Sequence, residues 1–286
     1  MMPKTRSSAN IADSDLVIAT PGDIEFFRKN GYWVAPQLLE PALMDDACAH
    51  MDRIYAGEFE RGREPVDYRP GSEYGPADLR KTDNSWWADE VMRQIATSPR
   101  IGRIASALLG SDEIYLWHDQ MLFKPSGSAT ASVGWHQDYY YWRNSSTTDM
   151  ITAWVAFHDV PEEAGPLRFI SGSHEWGLLK ENDFFDPDPA AQRGRMQLPE
   201  GSVWSETSCP LKRGEATFHH SMTVHGSGPN SSGVDRRSIA VHMMAGTARL
   251  VAGEGPGRGH FNERIHGGPD GAPFRGEMFP RLWPPV

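Results

Sequence analysis

The sequence predicts a mainly β fold with flanking helices, and three observations carry that prediction. From Glu113 to about Met244 the chain breaks into short runs rich in β-branched and aromatic residues, separated by turns bearing Gly and Pro. That is the signature of an antiparallel barrel or sandwich. Apolar residues at helical spacing fall before Glu113. A length of 286 residues is enough to bury a sizeable core without disulfide or metal staples.

In chain order, residues 1–20 are polar and mixed and are expected to form a disordered arm. Gly22 to Gly31 reads as a short capped helix stopped by glycine, followed by a strand at Tyr32–Ala35. From Glu40 to Ala56, Leu43, Met44, Ala47, Met51 and Ile54 make one apolar stripe of a scaffold helix. Residues 57–85, charged and dotted with Gly and Pro, read as a long loop that either lids a site or is a solvated excursion. Trp86 to Leu109 is again helical in pattern, ending at Gly110. Strands are then expected at Ile114–Lys124, Val133–Asp138, Ile151–His158, Leu167–Ile170, Ala216–His219 and Arg236–Met243. The insert Phe184–Gly214 is irregular and polar and is expected to cover one mouth, so residues 57–85 and 180–214 are the two lid candidates. The tail, Phe279 to Trp283, reads as a packed end.

Composition narrows the function. With 28 basic against 38 acidic residues and no basic run, a nucleic-acid partner is not expected. Cys48 and Cys209, the only two cysteines, show no metal-ligand spacing, and a reducing, cytoplasmic setting is expected. No apolar stretch is long enough to span a bilayer or to form a signal peptide, so no membrane association is expected.

The chemistry centres on Trp135-His136-Gln137-Asp138 and on His225 far downstream. In an extended strand residues i and i+2 share a face, so His136 and Asp138 converge on one point while Gln137 turns away. Two histidines and one carboxylate with open positions opposite form the ligand set of a non-haem Fe(II) centre, not of a closed structural zinc site.

Further elements follow in order: Asn30-Gly31-Tyr32, Phe123-Lys124-Pro125, Ala153-Trp154, Gly165-Pro166-Leu167, Ser171-Gly172-Ser173-His174, and His225-Gly226-Ser227-Gly228-Pro229-Asn230 with Arg236 eleven residues after the histidine. Their order and spacing resemble the phytanoyl-CoA dioxygenase family of Fe(II)- and 2-oxoglutarate-dependent oxygenases, with Ser171 where proline is usual. The resemblance runs over most of the chain. It implies a double-stranded β-helix (a cupin-like jelly roll), as a single domain over residues 21–286, with Fe(II) on His136, Asp138 and His225.

The resemblance also assigns Arg236 to the far carboxylate of 2-oxoglutarate, a task suited to a bidentate guanidinium. Strand alternation puts Arg237 on the opposite face, as the natural control. Ser227 could add a hydroxyl to the same carboxylate. Trp154 is either an inward aromatic beside the cosubstrate or ordinary core. A polar residue holding 2-oxoglutarate is expected on the strand before the motif, with Gln120 the choice and His118 next, while Lys124 also reads as a plain edge charge. His174 falls at a turn outside the metal strand, and His219, His220 and His242 read as hydrogen-bonded core or rim histidines.

With 2-oxoglutarate and O2, such a centre releases succinate and CO2, and an intact Asp138 favours hydroxylation or desaturation over halogenation. Tyr139, Tyr140, Tyr141, Trp142 and Arg143 are the substrate-contact candidates for a small organic molecule of amino-acid or natural-product type. No basic cluster suits the phosphates of a coenzyme A thioester. A cupin-like isomerase or binding protein using the same three ligands is the competing reading.

Overall fold

The computed structural model describes residues 19–128, 131–255 and 258–285. Most of the arm expected over residues 1–20 lies outside these. Thr20 opens the first helix, α1 (Pro21–Asn30), in a capping box: its hydroxyl accepts from the Asp23 amide, and the Asp23 carboxylate accepts from the Thr20 amide. The helix stops at Gly31, whose φ of 80° is left-handed. The Gly31 carbonyl accepts from His220 N and Thr223 Oγ1, tying this turn to the segment that leads into His225.

Strand β1 (Tyr32–Ala35) and helix α2 (Pro41–Tyr55) lie where the periodicity puts them. The helix expected over residues 86–109 is instead broken. Trp86 and Trp87 sit in a 3-10 turn whose Ser85 and Trp86 amides donate to the buried Asp119 carboxylate. Helix α3 (Glu90–Ala96) then starts at the Asp89 cap, and α4 (Pro99–Leu109) restarts at Pro99. The apolar stripe runs through the break, but proline has no amide to continue the ladder and disfavours helix at the residue before it. The expected loop over residues 57–85 is not wholly loop either, because it contains β2 (Arg80–Asp83).

The remaining strands among the described residues are β3 (Ile114–Lys124), β4 (Val133–His136), β5 (Met150–Ala156), β6 (Leu167–Ile170), β7 (Glu206–Cys209), β8 (Ala216–His220), β9 (His225–Ser227), β10 (Arg236–Ala245) and β11 (Arg281–Trp283). The insert Phe184–Gly214 carries β7 and a short helix, α5 (Pro189–Arg195), and α6 (Phe261–His266) follows the last long strand. In the tail, Leu282 is buried against Gly102 of α4.

The strands form two antiparallel sheets of a jelly roll. The larger runs β1-β8-β5-β10-β3-β11 with β2 also on β3, and the smaller runs β4-β9-β6-β7. Alternation divides the larger sheet, with its phase on β3 shifted by a bulge where His242 and Met243 pair. Met121, Phe123, Ile151, Ala153, Val155, Ile239, Val241 and Met243 pack with the stripes of α2, α3 and α4 in the main core. The opposite face meets the smaller sheet, where Leu122, Trp154 and Ala240 pack with Leu167 and Phe169. The candidate site lies between the two.

Gly31 is sensitive on two counts, its positive φ and the His174 and Thr223 side chains that a Cβ would strike. Gly31→Ala is expected to cost about 1–3 kcal/mol, read as a lower midpoint of denaturant unfolding.

Candidate active site

A cavity of about 320 Å³ opens between the sheets. His136 ends β4 and His225 begins β9, and the two are cross-strand partners with ring centroids 4.1 Å apart. His136 Nδ1 lies 2.8 Å from the Gly134 carbonyl and His225 Nδ1 lies 2.9 Å from the Thr223 carbonyl. A carbonyl can only accept, so both rings carry their proton on Nδ1 and turn a bare Nε2 inward. Those nitrogens stand 3.5 and 3.7 Å from Asp138 Oδ1. One ligand atom from each of the three residues lies within 4.8 Å of the others, and all three residues are buried.

The expected strand ends at His136, and Asp138 opens a 3-10 turn (Asp138–Tyr140). The convergence survives because Gln137 between them is still extended. Gln137 turns away as expected, donating to the Gly177 and Met222 carbonyls and accepting from Leu179 N. The second oxygen of Asp138 accepts from Thr152 Oγ1 at 2.8 Å and from His219 Nε2 at 3.2 Å. Burial pushes the Asp138 carboxyl up, but the imidazoles of His225, His136 and His219 around it outweigh burial and hold it well below the usual range. Burial lowers His225 well below the usual imidazole value, so it is neutral. Two bare imidazole nitrogens and an ionised carboxylate are the donors that a divalent Fe, Mn or Co ion requires.

One end of the cavity is cationic. Arg236 and Lys124 are register partners on β10 and β3, and both are buried. Lys124 Nζ donates to Ser227 Oγ at 2.7 Å and to the Gly228 carbonyl. Arg236 donates one Nη to the Gly165 carbonyl, leaves its Nε without a partner, and lies 5.1 Å from the centre of the Trp154 ring. Neither cation has a carboxylate within hydrogen-bond reach among the described residues. Burial, and then the neighbouring Arg236, hold the Lys124 ammonium well below the lysine range; burial lowers Arg236 to about 9. Lys124 is therefore no edge-strand charge. Arg237, on the outer face, pairs with Asp52 at 3.1 Å.

Gln120 and His118 also line the cavity, further along β3 from its cationic end. Gln120 donates to Asp83 at 3.0 Å. His118 is opposite His242, six residues along β10 from Arg236, or about 20 Å at the rise of a strand. Of the aromatic run, Tyr141 and Trp142 line the cavity while Tyr139, Tyr140 and Arg143 do not. Tyr139 donates to the Ser145 carbonyl, and the Arg143 guanidinium lies over the Tyr140 ring. The 3-10 turn explains this, since its three residues per turn send successive side chains in different directions.

Three groups of lining residues were not named individually: Lys81 and Asp83 on β2 and Phe184 and Phe185 on the insert, which fall in the two lid candidates, and His260 and Phe261 at α6, which fall in neither. The first has no apolar period to reveal it. The third carried a usable signal, because His260 accepts from Asn262 N as the cap of α6. His219 and His242 make hydrogen-bond contacts, His219 Nε2 to Asp138 and His242 Nδ1 2.7 Å from Thr152 Oγ1. His174 Nε2 lies 3.0 Å from the Arg28 carbonyl, away from the cavity.

Comparison with known proteins identifies a family. The family model described as phytanoyl-CoA dioxygenase matches residues 27–238. The human peroxisomal phytanoyl-CoA dioxygenase is 24% identical over 85% of this chain and 73% of its own length. A probable alpha-ketoglutarate-dependent hypophosphite dioxygenase of Stutzerimonas stutzeri is 26% identical over 71% of this chain and 68% of its own length. Among solved structures, the non-heme alpha-ketoglutarate-dependent epimerase SnoN from nogalamycin biosynthesis is 26% identical, covers 91% of this chain and 97% of its own, and superposes with a TM-score of 0.69.

Thr152 donates to Asp138 and meets His242. Thr152→Val is expected to weaken Fe(II) or Mn(II) binding by about tenfold or more while retaining the three ligands, measured by anaerobic calorimetric titration.

Proposed function

The chain belongs to the phytanoyl-CoA dioxygenase family of Fe(II)- and 2-oxoglutarate-dependent oxygenases, and we propose that it hydroxylates or desaturates a small organic substrate at a centre held by His136, Asp138 and His225. The observation that carries this reading is the buried pair Lys124 and Arg236 beside that centre. Two cations without a counter-charge are costly to bury, and a bound carboxylate offsets the cost. A cupin-like isomerase or binding protein with the same three ligands has no use for them.

Iron, 2-oxoglutarate and O2 together supply the oxidising chemistry, with succinate and CO2 as by-products. The chain's own residues bind and orient. Arg236 clamps the far carboxylate of 2-oxoglutarate, Lys124 adds a point charge, and Ser227 adds a hydroxyl. Trp154 walls the chain of the cosubstrate, while Leu122, Val133 and Leu167 keep water out. Substrate enters beside the metal centre, where Tyr141, Trp142 and the Phe184–Phe185 pair of the insert line the cavity. Both lid candidates reach that cavity, the insert through Phe184 and Phe185 and residues 57–85 through Asp67, Lys81 and Asp83. The likeness to SnoN favours a natural-product substrate over an acyl thioester. The free thiols of Cys48 and Cys209 suit a reducing compartment such as the cytoplasm, the net charge of −10 argues against nucleic acid, and no helix among the described residues is long and apolar enough to cross a membrane.

Oxygen consumption and succinate release are expected to depend on 2-oxoglutarate, and His136→Ala or Asp138→Ala should abolish both. Arg236→Ala should raise the 2-oxoglutarate requirement by roughly 30-fold or more, and Arg237→Ala should leave it unchanged. No 2-oxoglutarate binding by the wild-type protein would overturn the reading.

A pH test follows from Lys124, whose pKa is depressed by burial in the free protein and should rise when a carboxylate binds beside it. Affinity for 2-oxoglutarate is then greatest below the free-state pKa. It falls as pH rises through the window up to the bound-state pKa, with proton uptake on binding inside that window. Calorimetry in buffers of different ionisation enthalpy should show the uptake, and Lys124→Met should remove it.

A further inference from the structure

At the end of the cavity far from Lys124 and Arg236, one buried residue holds two imidazoles. Asn262, 1% exposed, donates its side-chain Nδ2 to the Trp117 carbonyl at 2.8 Å. Because that carbonyl can only accept, the amide cannot be flipped. The same Nδ2 faces His118 Nδ1 at 3.5 Å, a long contact that places Nδ1 on the accepting side. The backbone amide of Asn262, a donor without alternative, lies 3.1 Å from His260 Nδ1, which must accept as well. Burial lowers His118 well below the usual imidazole value and His260 to about 3, so each ring is neutral with a single N–H. With both Nδ1 atoms accepting, that proton is on Nε2 in both rings. The two rings lie 5.2 Å apart, both line the cavity, and neither Nε2 has a hydrogen-bond partner among the described residues.

We propose that the Nε2–H groups of His118 and His260 form a two-donor clamp for a carbonyl oxygen of the substrate, with Asn262 as its positioning residue. The surroundings specify the rest of that substrate. Phe261 lies 5.1 Å and Trp142 5.7 Å from the His118 ring, walls for a flat, unsaturated body. Lys81 is already paired with Asp83, Arg264 on the same wall donates to the Gly259 carbonyl, and the ring N–H donors of the clamp carry no net charge, which suits a ketone, quinone or lactam rather than a carboxylate. The inference rests on the proposed oxygenase reading for placing substrate at this end. The tautomers stand independently of it.

Two measurements on the full-length protein test the clamp. Nitrogen-15 spectra of the imidazoles should show His118 and His260 protonated at Nε2. In Asn262→Leu the His118 tautomer should become mixed while His260, held by a backbone amide, stays unchanged. With Mn(II) and 2-oxoglutarate bound, the flat ketone 1-tetralone should bind about tenfold or more tighter than tetralin, which lacks the oxygen, and His118→Phe and His260→Phe should each erase most of that preference. Protonation of either wild-type ring at Nδ1 would overturn the clamp. So would equal affinity for ketone and hydrocarbon, including no detectable binding of either, or tighter binding of 1-naphthoate than of the ketone. Failure of the wild-type protein to bind 2-oxoglutarate counts instead against the proposed oxygenase, so the two failures are distinguishable.

Discussion

Strand β10 is hydrogen-bonded along both edges, to β3 on one side and β5 on the other. A slip of one residue would exchange its two faces, turning Arg236 and His242 toward the helices and Arg237, Ile239 and Val241 into the cavity. The apolar face prevents this, because Ile239, Val241 and Met243 are fully buried in the core with α2, α3 and α4. The hydrophobic stripe of helices remote from the cavity therefore sets which polar residues face it. Lys124, Gln120 and His118 on β3 and Thr152 and Trp154 on β5 take their places by the same registers.

Along those strands the polar groups are sorted by chemistry. Two buried cations stand at one end, two bare imidazole nitrogens and a carboxylate in the middle, and neutral imidazoles among aromatic rings at the other. Isolated buried charge is expensive, and the arrangement makes sense as a surface complementary to an anion at the first end and a cation in the middle. The other end carries ring N–H groups instead, suited to polar but uncharged partners.

The histidines differ in role because their partners differ. His136 and His225 face backbone carbonyls and so carry protons on Nδ1, leaving Nε2 free to bind a metal. His118 and His260 face donors of Asn262 and carry protons on Nε2. The same side chain thus becomes a ligand in one place and a donor in another through its second nitrogen alone.

Much of the scaffold was legible. Helix α2 and strands β3 and β6 follow from periodicity, because a 3.6- or 2-residue apolar repeat directly encodes which face is buried. The convergence of His136 and Asp138 was legible for a similar local reason, and His225 and Arg236 through the order of motifs. Less local features were not. One stripe hid the break at Pro99, polar β2 shows no period at all, and the turn at Asp138 swung Tyr139, Tyr140 and Arg143 away from the cavity.

Lys124 reads as an edge charge until its partners are known, and they are Arg236 across the sheet and Ser227 on the other sheet. The pairing of His118 and His260 through Asn262 was invisible in the same way. The sequence by itself determined the β-rich core and the ligand chemistry of the motif. Tertiary structure alone decided which polar residues meet, because register and hydrogen bonds join segments as far apart as Lys124 and Ser227 or His118 and Asn262, whereas the tautomers of His136, His225 and His260 are set by backbone groups two residues away once the chain is folded around them.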